Sequence, residues 1–464
     1  DASGAGTDGS YNVAIGNDAL GANTEGQFNV GVGRRALYAN TTADENTAVG
    51  YLSLYANTTG ATNVAVGVSA LQENTTASNN TAVGNRALTA NTTGYNNTVV
   101  GSQSTDANTT GHSNTAVGRV SLTANTTGDQ NIAVGVSALE ANTTASNSVA
   151  IGNNALAAST TQGNLTAVGH QALAANTSGD SNTAVGYLAL TASTTGSANT
   201  AVGLSALDAN TTGGDNTAVG RDALGANTTG AGNTAIGAIA LDAITTTSHN
   251  TAVGHEALTN ASGGTGNTAL GKGTMTADVT GSSNVAVGYT ALAANTTASN
   301  NVAVGVGALS VNSTGASNTG VGQGALGANT TASFNTALGR GALGANTTGA
   351  NSVAVGYQAL DAQTTGGSNV AIGQGSMTSQ TTGEFNVAVG RASLATSTTG
   401  VGNVAVGDAA LNSTAGNNNT GVGYAALYAN TTGATNVAVG REALEANTTA
   451  SDNVAVGYIA LTAN

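Results

Sequence analysis

The chain has 464 residues, 9 basic against 23 acidic side chains for a formal charge of −14, 67 glycines, and no proline, tryptophan or cysteine. So few cations on so acidic a chain exclude a phosphate-tracking stripe and therefore nucleic-acid binding, and the lack of cysteine excludes disulfides and thiolate metal sites. With only 7% charged and 3% aromatic residues, the apolar fraction is mostly Ala, Val and Leu, so any core is thin.

Residues 1–11 form a Gly-rich N-terminal segment, expected to act as a cap or an assembly segment. From Asn12 to residue 464 the chain repeats one 17-residue pattern, close to N-[T/V]-A-V-G-x-x-A-L-x-A-N-T-T-G-x-x. Glycines mark the beat 27 times from Gly16 to Gly457, with a single 16-residue step between Gly407 and Gly423. A short period held this strictly predicts one all-β domain over 12–464, a parallel β-solenoid (β-roll) of about 27 coils of 17 residues whose units contact only their neighbours.

Counting from the Asn, position 2 is β-branched and position 4 is Val, Ile or Leu, as in Val13 and Ile15, Thr47 and Val49, or Ile132 and Val134. That alternation predicts a strand. Position 3 between them is Ala or Gly, with Val99 the exception, so both faces of this strand avoid water and its outer face is expected to be covered by another chain. A second strand is predicted around the Leu at position 9 (Leu20, Leu37, Leu207, Leu461), where Met275 and Met377 preserve the volume. Gly at position 5 and Asn-Thr-Thr-Gly at positions 12–15 predict the two turns. Stacked ~4.8 Å apart, the coils would make a rod of roughly 130 Å. The position-1 asparagines would then form an amide ladder.

The N-T-A-V-G and N-V-A-I-G segments followed by x-x-A-L resemble the head repeats of YadA-like trimeric autotransporter adhesins. The longer N-T-A-V-G-Y-x-A-L form, with Tyr187, Ala189 and Leu190, is similar to repeats of phage tail-fibre-like proteins. The resemblance spans essentially the whole chain. It implies a left-handed β-roll, lateral association of three copies, and a surface that meets host, matrix or glycan partners. The coiled-coil stalk, membrane β-barrel and self-cleaving chaperone of those families have no counterpart in these residues.

Two columns stand out as candidate sites. Position 6 holds Arg34, Tyr51, Arg119, His170, Tyr187, Arg221, His255, Tyr289, Arg340, Tyr357, Arg391, Tyr424, Arg441 and Tyr458. Stacked in line, they would form an exposed corner able to bind glycans or a surface, or merely the solvated corner of a solenoid. Position 12 repeats an N-x-[S/T] acceptor at Asn40, Asn57, Asn74, Asn91, Asn108, Asn125, Asn142, Asn210, Asn227, Asn295, Asn329, Asn346, Asn430 and Asn447. On exposed turns these would be candidate glycosylation sites. Ice binding asks for alternate threonines on a flat strand, whereas the paired threonines here fall in the turn.

No catalytic, cofactor or metal residue is specified. His170 and His255 share position 6 but stand five coils apart, ~24 Å at the ladder spacing. No apolar run of about 18 residues predicts membrane insertion. The sequence therefore reads as a structural extracellular or cell-surface appendage, self-associating side by side and, through poorly capped ends, head to tail. The alternatives are a phage tail-fibre shaft on a virion and a glycan- or ice-binding module.

Overall fold

The computed structural model describes residues 9–462, so most of the N-terminal segment 1–11 and the final two residues lie outside the described part. The chain divides into two compact units, Asp1–Gly232 and Asn233–Asn464. The first runs from β1 (Val13–Ile15) to β13 (Thr217–Val219) and the second from β14 (Thr234–Ile236) to β27 (Val454–Val456). Within each unit every strand pairs in parallel with the next, residue on residue one repeat later: Val13↔Val30 and Thr200↔Thr217 in the first, Thr234↔Thr251 and Val437↔Val454 in the second. This is a parallel β-solenoid of 27 three-residue strands, with no helix among the described residues. The short coil loses its residue in the turn after position 12, and the strands on either side keep register, Val404↔Thr420.

The strand's small face points inward. Ala48, Ala65, Ala82 and their counterparts at position 3 are buried in every coil after the first, where Ala14 is half-buried, while positions 2 and 4 look outward and are half-buried or exposed. Ala at position 8 and Leu at position 9 complete the apolar core. Alanine against the centre keeps the coil narrow enough for one Leu per coil to fill it.

The predicted second strand is not formed. Positions 6–11 make turns, because positions 7 and 9 take positive φ: Arg35 and Leu37 at 57° and 53°, Ser69 and Leu71 at 56° and 50°. Each turn closes on itself, Ala36 N–H donating to Gly33 O at 3.3 Å and Asn40 N–H to Leu37 O at 3.3 Å. A bulky residue in the left-handed region costs roughly 1–2 kcal/mol. Full burial of the Leu side chain contributes roughly 1.5–3 kcal/mol, so the core contact outweighs the strain. The backbone ladder continues through these turns, Leu37 N–H donating to Ser53 O at 3.0 Å in the next coil and Arg35 N–H to Asn17 O at 2.9 Å in the previous one.

Two asparagine columns line the remaining interior. At position 1, Asn29 Oδ1 accepts the Asn46 N–H at 2.9 Å, and Asn29 Nδ2 donates to Ala43 O at 2.8 Å within its own coil. At position 12, Asn57 Nδ2 donates both to Asn40 Oδ1 at 3.0 Å and to Gly60 O at 2.8 Å. Buried amides are tolerated where an amide in the next coil continues the stack and satisfies them. Where Ser352 shortens position 1, the longer Gln363 at position 12 reaches across: its Nε2 lies 3.3 Å from Ser352 Oγ and its Oε1 accepts from Asn369 Nδ2 at 3.0 Å.

The column breaks where serine replaces the amide. Ser193 Oγ is buried without a hydrogen-bond partner, and so is Asn176 Oδ1 one coil before it. Ser193→Asn restores a donor to Asn176 Oδ1 and an acceptor for Asn210 Nδ2, and is expected to stabilise the first unit by roughly 1–3 kcal/mol. Slower amide exchange in the coils around residue 193 would register it; unchanged exchange would mean that the orphaned atoms cost little.

Candidate functional site

The Asn-Thr-Thr column is interior where an exposed turn was expected. All fourteen asparagines, Asn40, Asn57, Asn74, Asn91, Asn108, Asn125, Asn142, Asn210, Asn227, Asn295, Asn329, Asn346, Asn430 and Asn447, are 0% exposed. The nitrogen that would carry a glycan is engaged; in Asn91, for example, Nδ2 donates to Asn74 Oδ1 at 2.9 Å and Gly94 O at 2.8 Å. A glycan there would require opening the coil. The first threonine is also structural, Thr58 Oγ1 donating to Thr75 O at 3.1 Å. The motif is explained by one amide turned inward and one hydroxyl clasping the next coil.

The position-6 column is at the surface. Tyr187, Tyr289, Tyr424 and Tyr458 are 51%, 55%, 51% and 68% exposed, the arginines are exposed as well, and His170 is half-buried. Neighbouring coils bring some of these side chains together: Arg34 lies over Tyr51 at 5.9 Å, His170 stacks on Tyr187 at 5.3 Å, and Arg340 lies over Tyr357 at 5.8 Å. Arg441 sits between Tyr424 and Tyr458 at 5.4 and 5.9 Å. Arg119, Arg221, His255, Tyr289 and Arg391 stack on no other member of the column; Arg221 pairs instead with Asp222 at 2.6 Å, His255 with Glu256 at 3.6 Å and Arg391 with Asp408 at 3.0 Å. Among the described residues Arg34, Arg119, Lys272 and Arg340 form no ion pair.

Two features of the surface go beyond the sequence reading, which expected a dry outer strand face without saying which positions form it. Positions 2 and 4 form an outward, uncharged sheet face in each unit, with exposed members such as Ile15, Val100, Leu270 and Leu338. This face also carries a column of single threonines on strands, Thr166, Thr183, Thr200 and Thr217, each with a valine and not a second threonine at position 4. The second feature is a groove of about 250 Å³ in the second unit, bordered by Gln323, Arg340, Tyr357 and Gln358. Beside it, Gln358 Nε2 donates to Asp361 Oδ2 at 3.4 Å, and partial burial holds the Asp361 carboxyl above its ordinary range, an effect this hydrogen bond opposes.

No group of three or more His, Asp or Glu among the described residues is placed to hold a metal ion. Among the described residues no helix is long and apolar enough to cross a membrane. No protein-family model matches the chain, and no curated protein is significantly similar to it.

Proposed function

We propose that this chain is a structural, non-enzymatic subunit of an extracellular fibre or appendage, the solenoid shaft or head of an adhesive filament, associating side by side with copies of itself and adding head to tail. The outward sheet face carries this reading. In both units positions 2 and 4 hold only β-branched or aliphatic residues, with no charge on the face. A contiguous, uncharged, partly apolar strip of this kind favours a protein interface over free solvent. A second copy offers the same strip in the same ~4.8 Å steps, so residues match coil by coil. The likeness to trimeric adhesin heads sets the expected number at three. Localisation outside the cell, or on a virion if the chain is a tail-fibre shaft, rests on the same likeness.

Sedimentation equilibrium and electron microscopy of the purified chain test the reading. A mass of three chains and elongated particles or filaments are expected. Val185→Lys, at an outward position 4 between Val168 and Val202, is expected to reduce the assembly to single chains without unfolding the coil. A single-chain mass at high concentration, unaffected by Val185→Lys, would overturn lateral association.

A further inference from the structure

We propose that the groove in the second unit is a saccharide subsite that takes an acidic pyranose, a hexuronate unit of a surface polysaccharide. Its floor is made by omission. Position 7 carries a side chain in most coils, including Gln103, Gln171 and Gln358 at φ of 56°, 53° and 51°, so the backbone there does not require glycine. Gly307, Gly324 and Gly341 occupy it in three nearby coils at φ of 65°, 64° and 67°. A Cβ on Gly307 or Gly324 would meet nothing within 4 Å, and on Gly341 its nearest contact would be Gln358 Cγ at 3.6 Å. Gly324 and Gly341 line the groove, and with Gly307 one coil earlier they leave a trough that the fold does not need. At Gly344 a Cβ would lie 2.7 Å from Asp361 Oδ1, so a glycine there also makes room for the carboxylate at the rim.

The rim supplies the chemistry. Arg340 is an exposed cation with no ion pair among the described residues, lying over the Tyr357 ring. A free guanidinium recognises a planar carboxylate with two parallel hydrogen bonds. Gln323 and Gln358 supply amide donors and acceptors, Asp361 supplies an acceptor for hydroxyls, and Tyr357 supplies an apolar wall with a polar tip. At about 250 Å³ the groove is slightly smaller than the pockets that enclose drug-sized ligands, about 300–1,000 Å³. One sugar ring is the matching size, with the rest of a polymer running along the open surface. Arg119 is the internal contrast: an unpaired arginine at the same position, but beside Val120 and not a glycine trough.

The inference does not depend on self-association, and its test is separate from sedimentation. Full-length protein is titrated with trigalacturonate and, in parallel, with neutral galactotriose and an acidic Glu-rich tripeptide, followed by calorimetry or by perturbation of the Tyr357 resonance. Saturable binding of trigalacturonate alone is expected. Arg340→Gln should weaken it by about tenfold or more, the loss of one charge-assisted pair. Gly324→Gln, which places a side chain already accommodated at this position, should abolish it, while Arg119→Gln should leave it unchanged. Absence of saturable binding, equal binding of the neutral sugar or the peptide, or insensitivity to both Gly324→Gln and Arg340→Gln would overturn the assignment.

Discussion

Gly67→Ala is expected to unfold the coils on either side of it, whereas Gly60→Ala, seven residues away, is expected to be nearly silent. Both glycines face the carbonyl of the next coil. A Cβ on Gly67 would lie 2.6 Å from the Gly84 carbonyl carbon, and on Gly60 2.5 Å from Asn57 Oδ1 and 3.0 Å from the Ala77 carbonyl carbon, each with the next coil's carbonyl oxygen nearer still, so the overlap is no smaller at Gly60. The difference is the backbone. Gly67 has φ of 138°, a region that only glycine visits freely, and the equivalent position is glycine from Gly16 to Gly457. Gly60 is not in positive φ, and its counterparts one coil away in each direction are Ala43 and Ala77, so a methyl already fits that slot. Strain and forced overlap together cost roughly 2–6 kcal/mol for Gly67→Ala, against less than about 1 kcal/mol for Gly60→Ala. Because each coil is held only by its neighbours, the damage should be local. Hydrogen exchange over residues 47–100 is the direct readout. Equal protection in the two variants would mean that the coil relaxes around either methyl and that φ is not the controlling quantity.

This contrast also shows what kind of information the sequence carries. The strand at positions 2–4 was legible because β-branched and small residues alternate with the period of the pleat, and Gly at position 5 because no other residue takes its conformation. The turn through Leu at position 9 was not legible. Leucine seldom adopts positive φ, and only burial in the coil centre holds it there; the outward sign was two positions earlier, at position 7, where Asn154 and Gly273 share the left-handed region. The asparagines of the N-T-T segment misled for a different reason. A lone amide belongs at the surface, but an amide repeated every 17 residues satisfies its own copy, which no single coil reveals. The signal was nonetheless present: Ile244 and Ala261 occupy the same slot and are fully buried, a substitution pattern that fits an interior position. The exposed corner at position 6 was recoverable from variability alone. The groove beside Arg340 was not, since it depends on glycines whose freedom from conformational need becomes visible only when φ is compared coil by coil.

Asp278→Asn is expected to stabilise the second unit at neutral pH and to remove a pH dependence that the parent chain carries between about pH 4 and pH 7. Asp278 stands at position 12, fully buried in the amide column, with Ala261 one coil before it and Asn295 one coil after. Its Oδ1 accepts from Gly281 N–H at 2.9 Å and from Asn295 Nδ2 at 3.2 Å, while Oδ2 is buried without a partner. Burial raises its pKa from 3.8 to about 7, a rise that these two hydrogen bonds only partly oppose. Below about pH 4 the carboxyl is neutral in both folded and unfolded chains and carries no ionisation penalty. As pH rises toward 7 the unfolded chain releases its proton while the folded chain retains it, so stability falls; above 7 both are ionised and the loss is constant. A shift of this size corresponds to about 4 kcal/mol at pH 8. Asparagine at 278 keeps an acceptor for Asn295 Nδ2 and gains a donor for Gly281 O, which at present receives an amide only from Asn267 at 2.7 Å where its counterpart Ala43 receives two. The check is hydrogen exchange of the coils around residue 278 at pH 5 and pH 8, corrected for intrinsic rates. The variant should be much better protected than the parent at pH 8, with a smaller advantage at pH 5. An equal advantage at both values would assign the gain to the restored amide column alone and refute the titration of Asp278.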